Sequence, residues 1–417
     1  MKYWLVKFEE DLPIDKDYYS YRMSMLADAL LENGHQIVRW ASDFNHKLQC
    51  SRFNKRHSIK LSPRYRLELI KNRFKYSSSH SLGRLIGIYA QSFSLFIAMF
   101  RDKEKPDAVI VAMPAPITCL LTAIFCRIKN IPFFVDARDM WPDIVLNEAV
   151  GIKKLLIMPL YCLMFFELKI SCKMAHGLIG ITPPFMNFLL KYAGRKAGIN
   201  DGHFPLGFKE KNYFHDPIEE HNYWNKHGVT FSDKTHLIYF AGTMNQTVLS
   251  EAAKVASALR VLSCKDIPVK LIMCGKGNSQ KEIKLLFKDL NNVIFPGHVS
   301  ASHLAFLKSK SSLALLAIEP RMDYINSLSN KFFDYASGAL PIITNLRGLP
   351  KKVLEENQAG YFYKDSDELV DIINLLVTNT SIRNLYSQNS IKMFNKHFNA
   401  NIVYSKYAKH IEKNTKL

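Results

Sequence analysis

Apolar positions along the chain fall into short runs separated by helix-length stretches with apolar spacing near 3.6 residues. Residues 3–8 predict a strand, 19–31 an amphipathic helix stopped by Asn33-Gly34, and 37–41 the next strand. Further strands are predicted over 108–113, 132–136, 178–182, 237–241, 269–274, 313–318, 341–344 and 360–363. Strand–helix alternation of this kind predicts an α/β fold with parallel sheets. The pattern breaks at 196–207, where AGINDGHFPLG carries three glycines and a proline, and it restarts at His236. At 417 residues the chain exceeds one typical core. The expected division is a first domain over 1–204, a second over 205–386, and a helix over 387–417 that packs back on the first.

Two segments depart from the alternation. Residues 52–84 carry ten Lys/Arg and one acid, Glu68, interleaved with Phe53, Tyr65, Leu69, Ile70, Phe74 and Tyr76. They read either as a membrane-surface segment or as a solvated helix face with buried aromatics. Residues 155–166, LLIMPLYCLMFF, read as a core helix first and a membrane contact second. Only now does composition add something. A net charge of +19 points to a polyanionic partner, which is nucleic acid, anionic lipid or a phosphorylated substrate. No nucleic-acid motif accompanies it. No run of about 18 uncharged apolar residues is present, so no spanning helix is expected. Acids at 9–11 interrupt the N-terminus too early for a signal peptide. Seven scattered cysteines without a CxxC pair favour a reducing compartment.

Candidate chemistry lies at predicted strand ends, where parallel sheets bind ligands. VDARDMWPD at 135–143 places Arg138, Asp139 and Trp141 there. FAGTMNQ at 240–246 and CGKGN at 274–278 offer Gly242, Thr243, Gly275, Lys276 and Gly277, as anion-binding loops or as plain turns. In SLSNKFFDYASGALPIITN at 327–345, Lys331, Asp334 and Tyr335 share a helix face at i, i+3 and i+4. Gly338 is expected to end that helix. Its N-terminus near Ser329 suits a diphosphate, with Lys331 adding a point charge. His46 and His298 stand out by position, and a lone histidine is most often structural.

The ordered set FAGT, CGKG, FPGHVS, KFFDYASGALPII and GLPKKVLEENQAGYFY resembles the nucleotide-binding half of family 4 retaining glycosyltransferases. RMSMLADALLENGHQIVRWAS, PDAVIVAMPAP and ARDMWPD in the first half resemble a subgroup from bacterial surface-polysaccharide (O-antigen or capsule) pathways. The resemblance implies a GT-B fold, two Rossmann-like domains facing across a cleft. It also implies retaining transfer of a sugar, hexosyl or N-acetylhexosaminyl, from a nucleoside diphosphate, UDP first, to a lipid-linked polyprenyl diphosphate glycan. The site it implies has Arg138, Asp139 and Asp334 as catalytic residues. Donor contacts would come from Gly242, Thr243, Gly275, Lys276, His298, Lys331 and Tyr335, and acceptor or membrane contacts from Arg22, Arg52, Lys55, Arg56 and Lys60. No cofactor or metal is expected, since no DxD triplet ends a strand, and no nucleic-acid partner. The implied location is cytoplasmic, peripheral on the inner face of the membrane, with salt-sensitive binding to anionic lipid through 52–84. The departures are Asn326 and Asp334 where the family often has two glutamates, EEDLPIDKDYY in place of a glycine-rich first loop, and no Arg and Lys after FAGT. These departures motivate a decayed scaffold as one alternative. A nucleotide-sugar epimerase of the same fold is another.

Overall fold

A computed structural model describes residues 1–16, 18–45, 48–53, 55–72, 82–210, 213, 215–232 and 234–415. The chain divides into Met1–Leu206 with Ala400–Leu417, and Gly207–Asn399. The strands of the first unit are β1 (Lys2–Val6), β2 (Gln36–Ser42), β3 (Phe44–Asn45), β4 (Cys50–Ser51), β5 (His57–Ser62), β6 (Tyr65–Ile70), β7 (Ala108–Ala112), β8 (Phe133–Ala137), β9 (Gly177–Gly180) and β10 (Gly202–His203). Its helices are α1 (Arg22–Glu32), α2 (Leu82–Arg101), α3 (Pro116–Lys129), α4 (Asp143–Glu148), α5 (Ile152–Met174) and α6 (Pro183–Ala193). The second unit has helices α7 (Pro217–Lys226), α8 (Gln246–Cys264), α9 (Gln280–Leu286), α10 (Ala301–Lys310), α11 (Met322–Ile325), α12 (Asn330–Ser337), α13 (Leu349–Asn357), α14 (Ser366–Thr378) and α15 (Thr380–His397). Its strands are β11 (His236–Ala241), β12 (Val269–Cys274), β13 (Val293–Gly297), β14 (Leu313–Leu316), β15 (Ile342–Thr344) and β16 (Gly360–Phe362). The last helix, α16 (Ala400–Thr415), returns to the first unit.

The first sheet runs β10-β9-β8-β7-β1-β2-β6-β5, parallel except for β5 against β6. Helices cover both faces, which is why its central strands are apolar throughout. On one face, Leu95, Ala98, Phe125, Leu168 and Leu189 pack on Trp4, Trp40 and Val111. On the other, Met23 and Leu26 of α1 join Tyr404, Tyr407 and Ile411 of α16 over Leu5 and Ile110. The direction of winding reverses between β1 and β7. The second sheet runs β13-β12-β11-β14-β15-β16, all parallel, and reverses between β11 and β14.

Three expectations need correction. Residues 387–399 stay with the second unit: Phe398 packs on Phe332 and Phe333, and Ser390 Oγ donates to the Leu340 carbonyl at 2.9 Å. Only α16 joins the first. The basic stretch 52–84 is not one helix face: 82–84 open α2, Arg52, Arg56 and Arg66 are paired, and Lys55, Lys60 and Arg64 are exposed. Its middle forms the β5–β6 hairpin at the sheet edge, with Leu67 and Leu69 buried and Lys60 outward. Phe74, Tyr76 and His46 lie outside the described residues. Finally, Gly83–Arg101 and Ile152–Met174 are long and apolar enough, by length and composition, to cross a membrane, because each tolerates a few charges.

Candidate functional site

In the second unit three strand ends meet backbone to backbone. Gly242 N–H donates to the Cys274 carbonyl at 2.9 Å, Gly275 N–H to that of Gly297 at 2.7 Å, and Met244 N–H to that of Lys276 at 3.1 Å. No side chain fits between them. A Cβ on Gly275 would lie 1.8 Å from the Gly242 oxygen, and one on Gly277 2.1 Å from that of Met244. Gly275 also has φ of +141°, which few L-residues adopt. The result is a bare backbone shelf at the carboxyl ends of β11, β12 and β13, beside the reversal between β11 and β14, where open α/β sheets bind ligands.

Lys331, in the first turn of α12, crosses this shelf. Its Cε would be 2.2 Å from a Cβ on Gly242, so glycine there makes room for the lysine. Burial alone pulls its pKa down, with no carboxylate among the described residues to offset it. Beside it, Ser329 Oγ caps no amide and is shielded without a hydrogen-bond partner. A half-buried ammonium with no carboxylate beside it and a buried, unpaired hydroxyl at one helix start suit an anion. Lys276 is exposed and lies against Gly297, while Thr243 and His298 are exposed on the same set of loops.

One turn further along α12 the chemistry changes. Asp334 accepts from Lys308 Nζ at 2.9 Å and from the Tyr239 hydroxyl at 3.2 Å. Lys308 is buried and also reaches Ser337 Oγ and Glu210, and its stem fills the space beside Gly338. Gly338 is thus needed for clearance; its φ of −81° is ordinary, and Ala339 takes the positive φ. Asp334 keeps 26% of its side chain exposed, and a carboxylate with two bonds filled has acceptor capacity left.

In the first unit a pocket opens at the β1/β7 reversal. It is lined by Lys7, Glu9, Ser42, Arg84, Gln91 and Pro114, among others. Arg84 forms a two-pronged pair with Glu9, at 3.0 and 2.7 Å. Lys7 donates to the Met113 carbonyl, and burial followed by Arg138 lowers its pKa to about 8. Beside the pocket, Glu10 pairs with both Arg39 and Arg138; burial opposes its charge, but the two guanidiniums hold its pKa below the usual carboxylate value. Asp139 accepts from the Met140 N–H.

Residues 222–393 match the family model described as glycosyl transferases group 1. The whole chain superposes on a sucrose-phosphate synthase from Thermosynechococcus elongatus with a TM-score of 0.70 at 12% identity, covering 99% of this chain and 98% of that one. WaaG, a glycosyltransferase involved in lipopolysaccharide biosynthesis, gives 0.65 at 14% identity, with 98% of each chain covered. HepE from Anabaena, in complex with UDP and glucose, gives 0.63 at 13%, covering 99% and 100%. No curated protein sequence matches the chain. The fold is GT-B.

Within this GT-B chain, Gly242, Gly275, Lys276 and Lys331 come together on the shelf, inside the stretch 222–393 that matches the group 1 model. Other expected contacts fall elsewhere. Tyr335 is fully buried and its hydroxyl accepts from the Ala241 N–H at 3.4 Å, so it props the end of β11 and cannot touch a donor. Arg22 is buried too: it forks onto Asp136 at 2.8 and 2.9 Å and donates to the carbonyls of Phe204 and Pro205, beneath the Tyr407 ring. It ties α1, β8 and α16 together and meets no membrane. Arg52 forks onto Asp15, and Arg56 reaches Glu68 at 3.5 Å; Lys55 and Lys60 are exposed. Trp141 packs against the apolar core. Sequence reasoning placed the diphosphate near Ser329 without singling out its hydroxyl, and it missed Lys308, Glu10 and Arg39. Nothing in HLAFLKSK marks Lys308 as buried, whereas Arg39 inside the apolar run IVRWA is a legible signal of a buried, paired charge.

Proposed function

We propose that the chain is a family 4 retaining glycosyltransferase that moves a sugar from a UDP-sugar to a lipid-linked polyprenyl diphosphate glycan in bacterial surface-polysaccharide synthesis. The observation that carries this reading is Lys331, a shielded ammonium without a counter-ion, stretched over Gly242 beside the unpaired Ser329 hydroxyl. A nucleoside diphosphate would supply the missing negative charge. As the bond from the anomeric carbon to the diphosphate breaks, the departing oxygen gathers charge, and Lys331 with nearby amides stabilises it where it forms. That supply of positive charge is the ground for proposing transfer without a metal. Lys276, on its exposed loop, would reach the same phosphates, and the free face of Asp334 would accept from a ribose or sugar hydroxyl. The first-unit pocket, with Lys7 and Arg84, would take the acceptor, and Arg138 and Asp139 would orient it. Support for UDP comes from HepE with UDP and glucose, and from the E. coli trehalose-6-phosphate structure bound with UDP-2-fluoro glucose. Support for the pathway comes from WaaG. The enzyme would work at the cytoplasmic face of the membrane.

A panel of nucleotide sugars tests this by thermal unfolding. A true donor at 100 times its Kd adds about 2.7 kcal/mol of stability. The result expected is stabilisation by UDP and one UDP-sugar, followed by release of UDP only when acceptor is present. Absence of any stabilisation across the panel would refute the donor reading.

A further inference from the structure

The basic hairpin segment has Arg52, Arg56 and Arg66 paired, yet the same unit carries an apolar face that no described residue covers. On α5, Ile152, Leu155, Leu156, Leu163, Phe166 and Ile170 are all exposed, Leu155 and Leu156 by more than 70%. Their spacing of three, four or seven residues makes a single stripe about 27 Å long at 1.5 Å per residue, and it carries no charge. The inner side of α5, with Leu168 and Cys172, is packed in the core, so the helix lies along the unit instead of passing through a bilayer. On the neighbouring α2, tied to α5 by the Tyr89 hydroxyl donating to Glu167 at 2.9 Å, Ile86, Phe93, Ile97 and Phe100 are exposed.

Charge says what covers this face. Helices α2, α3 and α5 contain eight Lys/Arg and one acid, Glu167, which is buried. Lys153 and Lys154 are exposed at the start of the stripe, Lys129 sits over the Phe100 ring and Lys169 over Phe165. An apolar strip rimmed by cations, on helices whose one acid is buried, fits lipid tails beneath anionic headgroups. Position agrees. Both helices start at the carboxyl edge of the sheet, where the pocket opens. At about 100° per residue, Arg84, Ile88 and Gln91 line the pocket from one side of α2, while Ile86, Phe93 and Ile97 look out from the other.

We propose that the outer face of α2 and α5 is a docking surface for an anionic bilayer, which would set the pocket mouth beside the membrane. The proposal builds on the lipid-linked acceptor reading, but names a surface that the donor reading does not require.

The test is co-sedimentation of the full chain with neutral phosphatidylcholine vesicles and with vesicles one-quarter phosphatidylglycerol, over a salt series. Wild type is expected to bind the anionic vesicles. Leu155→Gln/Leu156→Gln/Phe166→Gln should lose at least a hundredfold in partitioning, because each buried side chain is worth about tenfold or more. Its unfolding temperature should stay unchanged, since these side chains touch little. Lys153→Gln/Lys154→Gln should lose about 25-fold on anionic vesicles and little on neutral ones, about fivefold per lysine. Lys55→Gln/Lys60→Gln should bind as wild type does. Equal binding by the triple variant and wild type would overturn the face, as would wild type that binds neither vesicle, or a dimer that the triple variant abolishes. Stabilisation by UDP, measured on the same samples, reports separately on the donor site.

Discussion

Lys308 and Lys331 are two shielded lysines serving one helix, and their surroundings differ in kind. Lys308 has Asp334, Ser337 and Glu210, whereas Lys331 has no carboxylate among the described residues. A buried charge without a partner costs stability and is kept where a ligand completes it. Lys331→Met should therefore raise the unfolding free energy by about 1 kcal/mol in urea while weakening nucleoside diphosphate binding; a less stable variant with intact binding would contradict the assignment. Asp334→Ala, by contrast, leaves Lys308 with Ser337 Oγ and the half-exposed Glu210. It should cost about 2–4 kcal/mol of stability in the same titration, so its turnover alone does not report on catalysis. Arg22→Ala breaks a pair in which neither side chain is exposed and should cost about 3–5 kcal/mol by urea unfolding.

At the level of elements, the glycines of the shelf separate fold from site. Gly275→Ala drives a Cβ into the backbone of Gly242 and should destabilise by about 2–4 kcal/mol. Gly242→Ala meets only the flexible end of Lys331, so it should leave the unfolding temperature nearly unchanged while weakening UDP binding. On α5, burial raises the Glu167 pKa from 4.5 to about 7, with Tyr89 donating to it. Between those two values the folded chain holds a proton that the unfolded chain has lost, so stability falls as pH rises from 4.5 to 7 and stays lower above. Glu167→Gln should raise the unfolding temperature at pH 8 and leave it nearly unchanged at pH 4.5; an equal shift at both would argue against burial as the cause. The strands around the two reversals were legible because their apolar runs are long and bounded by glycine and proline. The β5–β6 hairpin was not, because its period-2 pattern, HSIKLS then YRLELI, is crowded with charge. Which cations were free could not be read along the chain, since Asp15 and Glu9, the partners of Arg52 and Arg84, lie 37 and 75 residues away.

At the scale of the whole molecule, a net charge of +19 suggested one basic surface, but in the first unit Arg22, Arg39, Arg52 and Arg84 are held by Asp136, Glu10, Asp15 and Glu9. Of the cations left over, Lys153 and Lys154 lie at the rim of α5, suited to a lipid surface, and Lys276 and Lys331 on the shelf of the second unit, suited to a diphosphate. The ordered motifs led to the GT-B fold and to Lys331. They did not reveal that Tyr335 and Arg22 are buried, because a helix face shared in sequence says nothing of which neighbour it packs against. The most direct measurement is calorimetric titration of UDP into the wild-type chain and into Lys331→Ala. Binding by wild type and a loss of about 1.5–3 kcal/mol in the variant are predicted, as for a hydrogen bond to a charged group. Equal affinities, or no binding of UDP by wild type, would contradict the account.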